Sequence, residues 1–206
     1  NHCLVHGLAG DWSAVETARA HVHALGVYGR ISIDRFSGET LPYEENVVNL
    51  LVSTDSETAV PVGEILRVLA PGGVAMAKAG SAGLPAPWSD SDLAGWQKLE
   101  KPWPRDIDEW THYMHAPDGN QVAADRVVGP PQRVQWLARP FWGRNHRYGN
   151  MTAMVTGDGK LFYVGNDVEP SIETLPDRPC LTARDAFNGV HLWTHPIYPQ
   201  SYSDRL

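Results

Sequence analysis

Two hydrophobic periods alternate along this chain, and the change from one to the other divides it. Up to about residue 80 the spacing is that of strands and helices taken in turn. Cys3-Leu4-Val5-His6-Gly7-Leu8 predicts a first strand. Val15, Ala18, Val22 and Leu25 then fall on one helical face, Ser13 and Glu16 fit a capping box at its start, and Gly26 supplies the stop. Ile31-Ser32-Ile33 begins a second strand, and Val47-Val48-Asn49-Leu50-Leu51-Val52 is a nearly continuous apolar run of the kind found when both sheet faces are covered. Pro61 sits near the first turn of a short helix through Leu69, which Pro71-Gly72-Gly73 ends ahead of the strand Val74-Ala75-Met76-Ala77. The order β-α-β-β-α-β predicts a partial, parallel, helix-covered α/β sheet over residues 1–80.

From about residue 127 the pattern becomes that of an all-β fold. Val127 to Trp136 reads as a loop feeding a strand. Asp158-Gly159 then turns into the strand Lys160-Leu161-Phe162-Tyr163-Val164, and residues 181–197 spell a strand, a tight turn and a second strand. The segment 161–164 is expected to pair with 181–184, and 190–194 to extend that sheet. Between the two halves, residues 81–126 form a junction. Its first part, 80–105, mixes Gly, Pro, Ser and charge without a sustained period, which is linker chemistry; within it, 92–99 fits either a helical turn or a short hairpin.

Composition narrows the function classes. At 206 residues with 42% hydrophobic content the chain has room for one or two domains. A net charge of −7 without a Lys/Arg cluster argues against a nucleic-acid partner, because phosphate neutralisation needs clustered cations. No run approaches the ~18 apolar residues of a membrane-spanning helix. Cys3 and Cys180 lie too far apart to read as a metal-spacing pair and leave the redox compartment open. Of eight Trp, seven follow residue 85, which marks the same division as the change of period. The chain enters an apolar strand almost at once after Asn1, so it is expected to be a piece of a longer protein with a neighbouring strand upstream.

The densest candidate chemistry lies in residues 102–147. On a helix, His112 and His115 would share a face with Asp108 one turn earlier, and His146 follows from a loop. Three imidazoles and a carboxylate suit zinc or another divalent ion; the same side chains equally suit polar strand ends at a sheet rim. Arg144 and Arg147 flank His146 and fit an anionic ligand. Two guanidinium groups beside a divalent cation repel it, so these residues are read as one polar recognition cluster ahead of a metal site.

Two family resemblances rest on particular residues. Asp158-Gly159, the strand after it, and Ala183-Arg184-Asp185-Ala186-Phe187-Asn188-Gly189 ending at Trp193 resemble the repeat of pyrroloquinoline-quinone (PQQ)-type β-propellers. That resemblance implies a first blade beginning near residue 127, with Trp193 as its packing anchor. PQQ itself is not expected: quinone-binding propellers stack the ring on a disulfide of adjacent cysteines, Cys180 has no adjacent Cys, and Asp185 and Asn188 sit where Asx side chains close a turn. Arg67-Val68-Leu69-Ala70-Pro71-Gly72-Gly73 and Gly38-Glu39-Thr40-Leu41-Pro42-Tyr43 resemble the later half of class I S-adenosylmethionine (SAM)-dependent methyltransferases. In that family an acidic residue ends the strand matched by Val5 to Ala9 and holds the cofactor ribose; Ala9 stands in its place here. Gly7, Asp11 and Ser37 are the positions left for SAM-like contacts, and the family's glycine-rich cofactor loop is not among these residues.

The junction Glu109-Trp110-Thr111-His112-Tyr113, with Val128-Gly129-Pro130-Pro131 and Gln135-Trp136, resembles bacterial proteins that fuse such a domain to such a propeller. The combination implies a binding or scaffolding protein with a degenerate methyltransferase-like domain, its propeller loops meeting a protein partner or small molecule. The alternative is a SAM-dependent methyltransferase with propeller-borne substrate recognition, in which SAM binds the full-length protein. A quinoprotein dehydrogenase is a more distant reading. The propeller resemblance favours an extracytoplasmic location.

Overall fold

Strand β1 (Val5–Ala9) leads through helix α1 (Trp12–Ala24) to β2 (Ile31–Arg35), which pairs with β1 in parallel, Val5 opposite Ile31 and Ala9 opposite Arg35. This and all that follows is a computed structural model that describes residues 3–36, 38, 40–54, 60–78, 87–126, 134–138, 151–166 and 178–197. The chain forms two units, Asn1–Pro102 and Trp103–Leu206.

Helix α1 does not begin with the expected capping box. Asp11 is the N-cap: its Oδ1 accepts from the Ala14 amide at 2.9 Å, and Ser13 lies inside the first turn. An Asx side chain directly before the first helical residue takes the cap, so Ser13 two residues later has no cap left to fill. Val15 and Val22 are buried as the helical period predicts, whereas Leu25 is the exposed C-cap; Gly26, at φ +67°, ends the helix.

In the same unit β3 (Val48–Ser53), α2 (Val62–Val68) and β4 (Leu69–Lys78) form a second parallel pair. Two further strands, β5 (Ser89–Asp90) and β6 (Trp96–Glu100), complete a sheet of order β3-β4-β6-β5, with β6 antiparallel to β4. The stretch with linker chemistry therefore carries two strands of the sheet. Of the two forms open for 92–99 the hairpin is found, with Gly95 turning at φ +79° and Leu99 buried against Ala75. The core under α2 joins Ile65, Leu69, Ala75 and Leu99 to Val48, Leu51 and Trp88 at its margin.

Among the described residues the apolar run of β3 is covered on one face. Leu51 packs against the core, but Leu50 and Val52 are 58% and 52% exposed. Successive strand residues point to opposite faces, and among the described residues only the Leu51 side meets a packed layer. The Pro71-Gly72-Gly73 segment lies within β4, not ahead of it, and geometry demands its glycines. Gly72 has φ +73°, and a Cβ on Gly73 would fall 2.7 Å from the Ala70 carbonyl oxygen and 2.9 Å from that of Val48. Lys101 reaches back beside this turn, its Nζ donating to Asn46 Oδ1 at 2.6 Å and to the Leu69 carbonyl at 2.9 Å. Burial pushes this ammonium below its usual range, while the nearby Glu45 carboxylate opposes the shift.

The described residues of the second unit hold one antiparallel sheet, order β10-β9-β8-β7, made of β7 (Met151–Gly157), β8 (Lys160–Asn166), β9 (Pro179–Asp185) and β10 (His191–Pro196). Tyr163 lies opposite Thr182, and β10 extends the sheet beyond β9, in the pairing that the alternation predicts. Asp158 and Gly159 both have positive φ, 51° and 66°, the turn whose twist matches a two-residue hairpin. Between β9 and β10, Asp185 Oδ1 accepts from the amides of Phe187 and Asn188, and Asn188 Oδ1 from that of Val190. Gly189 is at φ +72°, and a Cβ there would overlap the Trp136 ring, whose Nε1 donates to the Ala186 carbonyl at 3.1 Å. The Trp seated on this turn is thus Trp136; Trp193 is 41% exposed, with its ring 6.0 Å from that of Phe162.

Candidate functional site

Residues 108–124 of the second unit contain neither helix nor strand, so the shared helical face expected for Asp108, His112 and His115 does not exist. His112 and His115 instead bracket a tight reversal. The His112 amide donates to the His115 carbonyl at 3.1 Å and the His115 amide to that of His112 at 3.0 Å. His115 takes φ +73°, left-handed geometry that a helix excludes. The backbone groups of Trp110 also bond outside the segment, its carbonyl accepting from Thr156 N and its amide donating to Thr156 Oγ1, both at 2.8 Å.

The reversal joins two of the named residues directly. His115 Nε2 meets Asp108 Oδ2 at 2.7 Å, and Nδ1 meets the Asn120 carbonyl oxygen at 3.1 Å. Asp108 also accepts from the Ala124 amide at 2.6 Å and from the Glu109 amide at 2.8 Å. These donors, the Ala124 amide first, then His115 and the Glu109 amide, hold its carboxyl below the usual range. The Trp110 ring lies 5.1 Å from the His115 ring, edge to face. His112 turns the other way, its Nδ1 bonded to Thr111 Oγ1 at 2.9 Å. Because both ring nitrogens of His115 are engaged, the ring offers no free lone pair for a cation. Among the described residues no three His, Cys, Asp or Glu side chains gather as a metal site would require. His146, Arg144 and Arg147 lie outside the described residues.

Of the SAM-like positions in the first unit, Gly7 and Asp11 have structural roles. A Cβ on Gly7 would fall 2.8 Å from Ile33 Cδ1 on the neighbouring strand, and Asp11 Oδ1 is committed to the helix cap. Ala9 closes β1 with its carbonyl accepting from the Phe36 amide at 2.9 Å. Ser37 lies outside the described residues.

A second polar chain, passed over in the sequence, crosses β1 and β2. Tyr43 Oη and His6 Nδ1 are 3.0 Å apart, His6 Nε2 and Asp34 Oδ2 are 3.0 Å apart, and Arg19 Nη2 holds Asp34 Oδ1 at 2.5 Å. Burial, and secondarily the Asp34 carboxylate, push the Tyr43 phenol above its ordinary range, so it remains neutral. Period-two alternation was the available signal. His6 and Leu8 share a face, and parallel register sets Asp34 opposite Leu8.

Solved structures similar to this chain include a geranyl diphosphate methyltransferase in complex with SAM, at 19% identity and TM-score 0.33 over 36% of this chain and 32% of that one. The [4+2]-cyclase SpnF matches at 24% identity and TM-score 0.35 over 40% and 34% of the two chains. The YcgJ protein of Bacillus subtilis matches at 20% identity and TM-score 0.33 over 36% and 33%. The match thus spans about a third of the length of each of these structures. No family model and no curated protein matches the chain.

Proposed function

We propose that this is a binding or scaffolding protein, in which a methyltransferase-like α/β unit that holds no cofactor is joined to the first blade of a PQQ-like β-propeller beginning near residue 127. The observation that carries the cofactor-free reading is Asp11. It is the first carboxylate in the sequence after the end of β1, and its Oδ1 caps α1. Ala9, at the strand end itself, has no side-chain acceptor to offer. Ribose recognition draws on charge-assisted hydrogen bonds that the ribose hydroxyls donate to a carboxylate, and helix capping competes for that of Asp11. The blade reading is supported by the four-stranded antiparallel meander and by Trp136 seated on Gly189. The propeller's loops then meet the partner, a protein or a small molecule.

Thermal unfolding with and without SAM tests this reading. A ligand held at 100 times its Kd stabilises the folded state by about 2.7 kcal/mol. The scaffold reading expects the same Tm at zero and millimolar SAM; a rise of several degrees that follows SAM concentration would overturn it.

A further inference from the structure

We propose that Tyr43, His6 and Asp34 form a nucleophilic triad in the first unit, in which the Tyr43 hydroxyl accepts an acyl group from an activated ester. The three side chains are joined in sequence: Tyr43 Oη lies 3.0 Å from His6 Nδ1, and His6 Nε2 lies 3.0 Å from Asp34 Oδ2. A nucleophile bonded to a base that a third group orients is the arrangement on which hydroxyl nucleophiles depend. A carboxylate has no proton to donate, so Asp34 accepts from the Nε2–H of His6. In the neutral ring that tautomer leaves the lone pair on Nδ1, where the phenol O–H meets it.

Both ends of the chain are fixed. Arg19 Nη2 holds the other oxygen of Asp34 at 2.5 Å, and Arg19 Nε donates to the Ile33 carbonyl at 2.8 Å, which keeps the carboxylate turned toward His6. At the other end both backbone groups of Tyr43 are engaged, the amide donating to the Leu41 carbonyl at 2.8 Å and the carbonyl accepting from Arg67 at 2.9 Å. The His6 and Tyr43 rings meet edge to face, their centroids 5.6 Å apart. A nucleophile held in this way loses little freedom when it reacts. Burial, ahead of the Asp34 charge, raises the phenol above its ordinary range. The hydroxyl therefore does not ionise by itself near neutral pH and depends on a base, His6, to take its proton. His6 and Tyr43 are only partly buried, which suits a small acyl donor arriving from solvent.

In the step itself, Tyr43 Oη bonds to the ester carbonyl carbon while its proton passes to His6 Nδ1. The bond from that carbon to the leaving oxygen breaks, and its electron pair departs with the oxygen. With para-nitrophenyl acetate the products are Tyr43 acetylated on Oη and para-nitrophenolate, and His6 returns the proton to water. The step uses no cofactor, so it stands whether or not the α/β unit binds SAM.

Reaction of the intact protein with para-nitrophenyl acetate at about pH 8, above the ordinary imidazole range, tests the triad, with acetylated tyrosines located by peptide mass spectrometry. Tyr28 and Tyr113 are 50% and 69% exposed and serve as internal references. A tyrosine that only ties its loop to the sheet is shielded and reacts after them. The triad reverses that order, and Tyr43 is expected to be acetylated first. In His6→Ala the Tyr43 rate is expected to fall by roughly 100-fold, the low end of what a positioned general base contributes, while Tyr28 and Tyr113 keep theirs. Acetylation of Tyr28 or Tyr113 ahead of Tyr43, or a Tyr43 rate that His6→Ala leaves unchanged, overturns the proposal; the wild-type order decides by itself if the variant does not fold.

Discussion

Arg67 Nη2 donates to the backbone carbonyl of Tyr43 at 2.9 Å, which joins the Pro-Gly-Gly motif to the Leu-Pro-Tyr motif as one structural unit. The same guanidinium holds both oxygens of Glu64 at 2.7 Å, and Glu64 Oε1 in turn accepts from the Leu41 amide at 2.7 Å. Helix α2 and the loop before β3 are thus tied through one charged pair.

Arg67→Ala is expected to cost about 1–3 kcal/mol, since it strands acceptors that a charged donor satisfies. Arg67→Lys recovers only part of this, because an ammonium cannot reproduce the fork on Glu64. Shifts of the urea midpoint check both values.

Acid stability follows from the same pair. The Arg67 hydrogen bond, and secondarily the Leu41 amide, hold the Glu64 carboxyl below its ordinary value of 4.5, with burial opposing them. The unfolded chain binds the proton more readily, so this contribution is present above pH 4.5 and fades as pH falls toward the folded-state value. Glu64→Gln is expected to lower stability at neutral pH and to flatten the acid limb of a stability-against-pH curve; an unchanged limb would count against the pair.

Glycine substitutions separate geometric need from tolerance. Gly73→Ala is expected to cost roughly 1–3 kcal/mol, because its Cβ meets two backbone carbonyls that cannot rotate away. Gly63→Ala, in α2 with nothing within 4 Å of the new Cβ, is expected to gain about 0.4–1 kcal/mol through the unfolded chain. Chemical denaturation of the two variants should move in opposite directions.

In the second unit, Trp136→Ala is expected to cost roughly 2 kcal/mol or more, since a half-buried Trp falls below the ~3–5 kcal/mol of a fully buried one. Gly189→Ala removes the same seat from the other side and is expected to lower Tm as well. Trp193→Ala is expected to have the smaller effect in this chain, the residue being two-fifths exposed. A larger loss of Tm from Trp193 than from Trp136 would reverse the assignment.

What could be read in the sequence was periodicity over several residues and turns with few chemical solutions. The helical face of Val15 and Val22, the Asp158-Gly159 turn and the pairing of β8 with β9 all follow from local rules. The Asp108–His115 contact was proposed on a helical spacing that the chain does not adopt. Its geometry comes from a reversal fixed by Thr156 and Asn120, partners 46 and 5 residues away. Trp136 lies 53 positions before Gly189, and no local pattern links the two. His6, Asp34 and Tyr43 were legible only given the β1–β2 register, which depends on tertiary contact.

Calorimetric titration of SAM into the protein tests the central claim most directly, since the scaffold reading rests on an α/β unit with Ala9 at the strand end and Asp11 committed to its cap. No saturable heat up to millimolar SAM is the predicted result. Saturable one-site binding with a micromolar Kd, about −8 kcal/mol, would contradict it and turn the reading to that of a methyltransferase.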